Sequence, residues 1–91
     1  MISEIVIATY READWEAWRK NTEDGKATFQ GSFQLWQEIV QQARKEKIRE
    51  GYDVKLVEIR LADFFAWAER TGNRTDSKAR AKYAGLIADS Q

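Results

Sequence analysis

The chain has 91 residues, which fit one domain (1–91) and leave no room for two. It carries 15 basic and 15 acidic residues, and this zero net charge argues against a strong overall attraction to nucleic acid or to anionic lipid. The sequence contains no cysteine and no histidine, which excludes disulfides, thiolate chemistry and the most common general base and metal ligand.

The N-terminal part of the chain predicts a strand followed by a short helix. The β-branched run from Ile5 to Tyr10 is typical of a strand that is covered on both faces. Asp14 is expected to cap a helix from Trp15 to about Asn21. Segment 26–30 follows turn-forming residues, and its secondary structure is ambiguous. One interpretation is an extended segment beside the strands.

A long helix is predicted next. Ser32 is a candidate N-cap, and Gly51 is expected to end the helix. Five of the apolar residues between them fall on one stripe at helical spacing. The stripe consists of Phe33, Trp36, Ile39, Val40 and Ala43.

The C-terminal part predicts a second strand and two more helices. The run 54–59 is the strand, and Asp63 is expected to cap a helix over 64–71 that Gly72 ends. Thr75 or Asp76 is expected to open the last helix, which reaches about Ala88. The sequence therefore predicts an α+β domain with two short strands and four helices.

An octapeptide pattern occurs twice, at 11–18 and at 60–67, with an offset of 49 residues. Both copies read Arg, any residue, Ala, Asp, an aromatic residue, any residue, Ala, Trp. A predicted strand precedes each copy and a further helix follows each. We interpret the chain as a duplicated β-α-α unit with halves 1–51 and 52–91. The duplication predicts that Trp18 and Trp67 occupy equivalent buried sites.

The tryptophans and the glutamines predict a surface for a protein partner. Tryptophan is enriched at interfaces, and a core this small has little room for four indoles. Trp15 and Trp36 are expected to be partly exposed, beside Gln37 and Gln41 of the long helix. We therefore predict a non-enzymatic binding or regulatory module that acts through this surface.

A basic ridge near the C-terminus gives the alternative function. Arg74, Lys78, Arg80 and Lys82 surround the start of the last helix. Helices 64–71 and 76–88, joined by a short turn, resemble a helix-turn-helix pair. The alternative is a small nucleic-acid-binding protein, in which the four cations converge on one exposed face. Because the whole chain is uncharged, binding is expected to be absent, or weak and nonspecific.

A third class, an enzyme that uses carboxylates and Mg²⁺, would need a cleft that holds at least two carboxylates. The acidic residues Glu12, Asp14 and Glu16 have a simpler interpretation as a cap and as favourable charges at a helix start. We therefore predict no enzymatic activity, no bound metal and no cofactor. No phosphate-binding glycine motif is present either.

The remaining predictions concern location and assembly. The N-terminus lacks the features of a signal peptide and no apolar run is long enough to span a membrane, so a cytoplasmic protein without membrane contact is expected. A homodimer is also predicted. Two strands alone make a marginal sheet, and pairing of an exposed edge, 5–8 or 54–57, across a two-fold axis would cover it.

Overall fold

The structure, a computed structural model, describes residues 3–90. It confirms the α+β class, with two strands and five helices in the described range. The strands are β1 (Glu4–Thr9) and β2 (Asp53–Glu58). The helices are α1 (Trp15–Asn21), α2 (Gly25–Thr28), α3 (Phe33–Arg49), α4 (Leu61–Thr71) and α5 (Ser77–Asp89), and a 3-10 turn at Glu12–Asp14 precedes α1.

The two strands pair in parallel and form the whole sheet of the described chain. Their register runs from Glu4 opposite Asp53 to Thr9 opposite Glu58, so paired residues are 49 positions apart. This spacing equals the offset of the repeated octapeptide. Because paired strands are parallel, the connection between them must cross over, and it contains α1, α2 and α3. The duplication itself stays a prediction.

The core lies on one face of the sheet. Ala8 and Val57 are partners in the register, and alternation puts both side chains on this face. Helix α5 packs against both strands, while α3 packs against β2. The fully buried side chains with the largest volumes are Trp18, Arg80, Phe29, Phe64 and Ile59.

The predicted burial of the two repeated tryptophans is confirmed. Trp18 is completely buried, and Trp67 is 6% exposed. The Trp18 ring lies 5.5 Å from that of Phe64, and the Trp67 ring lies 5.1 Å from that of Tyr83. These aromatic pairs connect α1 to α4 and α4 to α5, so the core is continuous across both halves of the chain.

Two of the predicted N-caps are confirmed. The Ser32 side chain accepts a hydrogen bond from the backbone N–H of Leu35 at 3.1 Å. Asp76 accepts one from the N–H of Ala79 at 3.0 Å. Both bonds satisfy donors that have no partner within the helix. The sequence therefore located the starts of α3 and α5 correctly.

The predicted caps at Asp14 and Asp63 are wrong. Neither side chain caps the helix that follows it. Asp14 instead accepts a hydrogen bond from Arg11 Nε at 3.0 Å. Helix α4 begins at Leu61, which places Asp63 inside the first turn, where a negative charge is favourable without a capping bond.

Segment 26–30 does not lie extended beside the strands, because residues 25–28 form the short helix α2. Gly25 is buried, and a Cβ at this position would collide with the carbonyl of Arg19. The Arg19 side chain donates to the carbonyl of Phe29 at 2.7 Å and to that of Gly31 at 2.6 Å. These bonds hold the chain against α1 and bury the Phe29 ring.

Helix α3 is the longest helix of the described chain. Its 17 residues span about 25 Å, and Gly51, with a positive φ of 98°, follows its end. Across residues 3–90, no helix combines the length and the apolar character needed to cross a membrane.

Candidate functional site

A cleft of about 420 Å³ lies between α3 and the carboxyl ends of the two strands. Its lining brings together residues from four segments of the chain: the end of β1, the 3-10 turn, the first half of α3 and the end of β2. The residues are Thr9, Tyr10, Arg11, Glu12, Phe33, Trp36, Gln37, Val40, Gln41, Leu56 and Glu58. Three of the four residues predicted for a partner surface, Trp36, Gln37 and Gln41, are among them.

Aromatic rings form the apolar wall of the cleft. The Trp36 ring lies 5.3 Å from that of Tyr10 and 5.4 Å from that of Phe33. All three side chains are half-buried, so each keeps a surface that a ligand can reach. Burial raises the pKa of the Tyr10 phenol, and its oxygen accepts a hydrogen bond from Arg80 Nε at 3.1 Å. The aromatic wall therefore carries no charge, and the hydrogen bond from Arg80 holds Tyr10 on the core side of the wall.

The predicted partial exposure of Trp15 is wrong, since this side chain is only 5% exposed. Its Nε1–H donates to the carbonyl of Gly31 at 3.1 Å, and its ring lies 5.6 Å from that of Trp36. Arg19 holds the loop around Gly31 over the indole. Trp15 consequently supports the cleft from the core side and does not line it.

Polar side chains lie on the open side of the cleft. Gln37 and Gln41 are exposed and lie one helical turn apart on α3. Leu56 of β2 is 38% exposed between the helix and the strand ends. Gln34, on the same side of α3, donates to Glu12 at 2.7 Å and connects the helix to the 3-10 turn. The cleft thus combines an apolar wall with an amide-bearing rim.

The cleft also holds two carboxylates, Glu12 and Glu58, which satisfies the number required for carboxylate chemistry. Both residues are exposed. Glu58 forms an ion pair with Arg60 at 3.2 Å, and Glu12 accepts from the Gln34 amide. Over residues 3–90 the structure contains no group of three or more acidic side chains arranged to hold a metal ion.

The four residues of the predicted nucleic-acid surface do not share one exposed face. Arg80 is 1% exposed, so its prediction as a surface residue is wrong. Arg74 is exposed and forms an ion pair with Glu23 at 2.8 Å. Lys78 and Lys82 remain exposed and line a shallow depression with Arg74. Only three of the four cations therefore lie on one surface.

Arg80 instead forms the main buried polar network of the described chain. Its guanidinium donates to both carboxylate oxygens of Asp24, at 2.8 and 3.0 Å, and to the carbonyl of Thr75 at 3.0 Å. It also lies 4.9 Å from the centre of the Phe29 ring. Together with the bond to Tyr10, these contacts link α5 to the α1–α2 turn and to the cleft wall.

The Arg80 hydrogen bonds lower the pKa of Asp24 to about 2, against the desolvation that partial burial imposes. Thr28 Oγ1 donates to the same carboxylate at 2.7 Å and also lowers the pKa. The sequence contained one signal for this network. The signal is spacing: Arg80, Ala84 and Ala88 are four residues apart and therefore share one face of α5, and Lys78 and Lys82 share another. In the structure the first face is buried and the second is exposed.

Comparisons of the chain with models of known protein families, with curated proteins and with solved structures find no match.

Proposed function

We propose that this protein is a binding module that receives a short peptide segment of a protein partner in the cleft between α3 and the strand ends. The observation that carries the proposal is the lining of this cleft. A half-buried Trp36 lies beside the exposed Gln37, Gln41 and Leu56, all on regular elements of the fold. A site on such elements is held more firmly than a site on loops.

The apolar wall supports an apolar anchor. Tryptophan and tyrosine supply large contact areas with few rotatable bonds, and such residues dominate the binding energy of protein interfaces. The volume of about 420 Å³ falls within the range of ligand pockets and accommodates one or two large side chains. The anchor is therefore an aromatic or leucine-sized residue of the partner.

The rim supports an uncharged peptide around that anchor. Each glutamine amide can both donate and accept, so Gln37 and Gln41 can pair with the N–H and C=O groups of an extended backbone. Two of the three charged residues that line the cleft are paired within the domain. Arg11 pairs with Asp14 at 3.0 Å, and Glu58 pairs with Arg60. Glu12 keeps its charge, but it is exposed to water and accepts a hydrogen bond from the Gln34 amide, so the rim does not require a charged ligand.

A binding role fits the carboxylates better than a reaction does. Glu12 and Glu58 are exposed and engaged with neighbouring side chains. A catalytic acid or base usually lies in a water-excluding environment with a partner that orients it. These two side chains have such partners but lie exposed to water, so we assign them to the rim.

The proposal can be tested with a displayed library of random peptides selected on the immobilised protein. We expect selected peptides to share an aromatic or leucine anchor and to shift the indole N–H resonance of Trp36 on binding. The double variant Gln37→Ala/Gln41→Ala should weaken these peptides by about tenfold. Both positions are exposed, so the thermal melt should change little.

A matched control is the double variant Lys78→Ala/Lys82→Ala, which changes two exposed residues one helical turn apart on α5, away from the cleft. This control should bind the selected peptides as the wild type does. The proposal fails if the library yields no binder. It also fails if the two double variants affect binding equally, because the peptides would then bind elsewhere.

A further inference from the structure

Helix α3 has a second apolar surface, separate from the cleft. None of its 17 residues is buried. Leu35 is 49% exposed and Ile39 is 59% exposed, and both lie on the side of the helix away from Gln37 and Gln41. They line an open depression of about 380 Å³ along the helix surface. The apolar sector of α3 is therefore wider than the part that the domain covers.

The residues of this outer surface follow the spacing of a helix-pairing seam. Leu35, Ile39, Gln42 and Glu46 are separated by four, three and four positions. This alternation keeps side chains aligned along one helix face, as in coiled coils. Glu38 and Lys45 flank the seam on one side, seven residues apart. We call these six residues the outer seam.

We infer that the outer seam is the interface of a homodimer in which α3 pairs antiparallel with α3 of a second copy. In the proposed register, Ile39 lies opposite Gln42 of the second copy, and Leu35 lies opposite Glu46. The flanking Glu38 then lies opposite Lys45 of the second copy. A two-fold axis repeats each contact, so the interface is self-complementary.

Charge complementarity selects this arrangement and this occupant. The antiparallel register places an acidic residue against a basic one at two symmetry-related positions, which favours pairing and fixes the register. No ion pair of Glu38 or Lys45 occurs within residues 3–90, so both charges are available to a second copy. The chain has no net charge, and two copies therefore do not repel each other at long range.

A parallel pairing of the same helices is less favourable. It would place Glu46 against Glu46 of the second copy in the seam, and like charges in such a position disfavour association. In the antiparallel arrangement, the two helix dipoles also point in opposite directions. The seam contains only two large apolar residues per copy, so the dimer is small and dissociates on dilution.

The inference goes beyond the proposed peptide binding, because the outer seam and the cleft lie on different sides of α3. A dimer through this seam leaves Trp36, Gln37 and Gln41 free. Each copy could then hold its own peptide, and the pair would be bivalent. Failure of either proposal leaves the other intact, since their variants change different residues.

Sedimentation velocity over a series of concentrations, from low micromolar to near-millimolar, tests the dimer by charge reversal. Wild-type protein should shift from monomer to dimer as the concentration rises. The single variants Glu38→Lys and Lys45→Glu each place like charges at both symmetry-related contacts. Each alone should dimerise about tenfold more weakly or not at all.

An equimolar mixture of these two variants restores opposite charges at both contacts and should form a heterodimer. This rescue distinguishes a register-specific contact from a general loss of structure. Circular dichroism melts of both variants should match the wild type because positions 38 and 45 are exposed. The inference is overturned by a wild type that stays monomeric throughout the series. It is also overturned by a dimer that neither variant weakens, which would point to the strand edges, or by a mixture without rescue.

Discussion

Helices α3 and α4 both carry apolar stripes, but the domain uses them very differently. Helix α4 has 11 residues, of which Phe64, Trp67 and Ala68 are buried. Helix α3 has 17 residues and buries none. The shorter helix lies inside the continuous aromatic core, whereas the longer one only borders it. The difference indicates that α4 stabilises the fold and that much of α3 is available for contacts with other molecules.

The contrast between α3 and α4 can be measured as the loss in the free energy of unfolding when a side chain of each helix is truncated. A helix that belongs to the core should lose several kcal/mol when a large side chain is removed. A helix that offers binding surface should lose almost nothing. Helix α5 allows the same comparison within one element, because it has a buried row at Arg80, Ala84 and Ala88 and an exposed row at Lys78 and Lys82.

The largest effect is expected for Trp67→Ala in α4. The substitution leaves a cavity between Phe64 and Tyr83 and should lower the free energy of unfolding by about 3–5 kcal/mol. Such a loss is a large fraction of the total stability of a domain of this size. Urea denaturation followed by circular dichroism measures the change. Coincident transitions of variant and wild type would place this helix outside the core.

The second largest effect is expected for Arg80→Ala in α5, which should lower the free energy of unfolding by about 3 kcal/mol. The change removes both guanidinium donors to Asp24 and leaves that carboxylate partly buried without its cation, with only Thr28 Oγ1 and the backbone N–H of Ser77 still donating to it. Lys82→Ala, two residues along the same helix, is the matched control and should stay within about 0.5 kcal/mol of the wild type. Equal effects of the two substitutions would contradict the division of α5 into a buried and an exposed row.

A pH dependence of stability is the third expected effect. The pKa of Asp24 is about 2 in the folded chain, below the ordinary value of 3.8. The stabilising contribution of this carboxylate is therefore complete above pH 3.8 and is lost as the pH falls towards 2. Thermal melts between neutral pH and pH 2 should show this loss. Asp24→Asn should be less stable at neutral pH and should lose less on acidification; parallel profiles of the two proteins would refute the assignment.

Ile39→Gln in α3 should change the stability of the monomer by less than about 0.5 kcal/mol, because the side chain is already 59% exposed. The measurement is a denaturation curve at low protein concentration, where a dimer would not contribute. Ala68→Gln in α4, which introduces a longer polar side chain at a buried site, is the contrasting substitution and should be clearly destabilising. A large loss for Ile39→Gln would show that α3 belongs to the core after all.

The smallest effect is expected for Lys78→Glu/Lys82→Glu. Both side chains are exposed, and we predict that the double variant folds and binds its partner as the wild type does. Gel-shift assays at physiological salt with a defined DNA duplex should be negative for both proteins. A shift that survives this salt and is lost in the variant would favour the nucleic-acid alternative.

Local patterns in the sequence were sufficient to predict most of the elements. The β-branched runs, the caps at Ser32 and Asp76, and the buried Trp18 and Trp67 are confirmed. Each of these depends on neighbouring residues or on helical periodicity. Trp36, Gln37 and Gln41 belong to one predicted helix and line one cleft, while the role of this cleft as a partner surface stays a prediction.

The errors at Trp15 and Arg80 arise where a residue finds a partner far along the chain, whereas the error at Asp14 has a local cause. Trp15 is buried because its indole bonds to Gly31, and Arg80 is buried because its guanidinium meets Asp24, 56 positions away. Asp14 does not cap because Arg11 binds its side chain. Composition and periodicity do not identify such pairs. They also do not show that the chain between Gly25 and Phe29 folds against α1.

The parallel register has a consequence for how the chain is made. Each residue of β1 is paired with a residue 49 positions later, so the strand has no partner until β2 has been synthesised. At roughly 5–20 residues per second, translation leaves β1 unpaired for about 2–10 s. During that interval, the apolar run from Ile5 to Ala8 depends on the ribosome, on chaperones or on the early helices to keep it from other chains. The order of the elements therefore makes the nascent chain most vulnerable before β2 has been added.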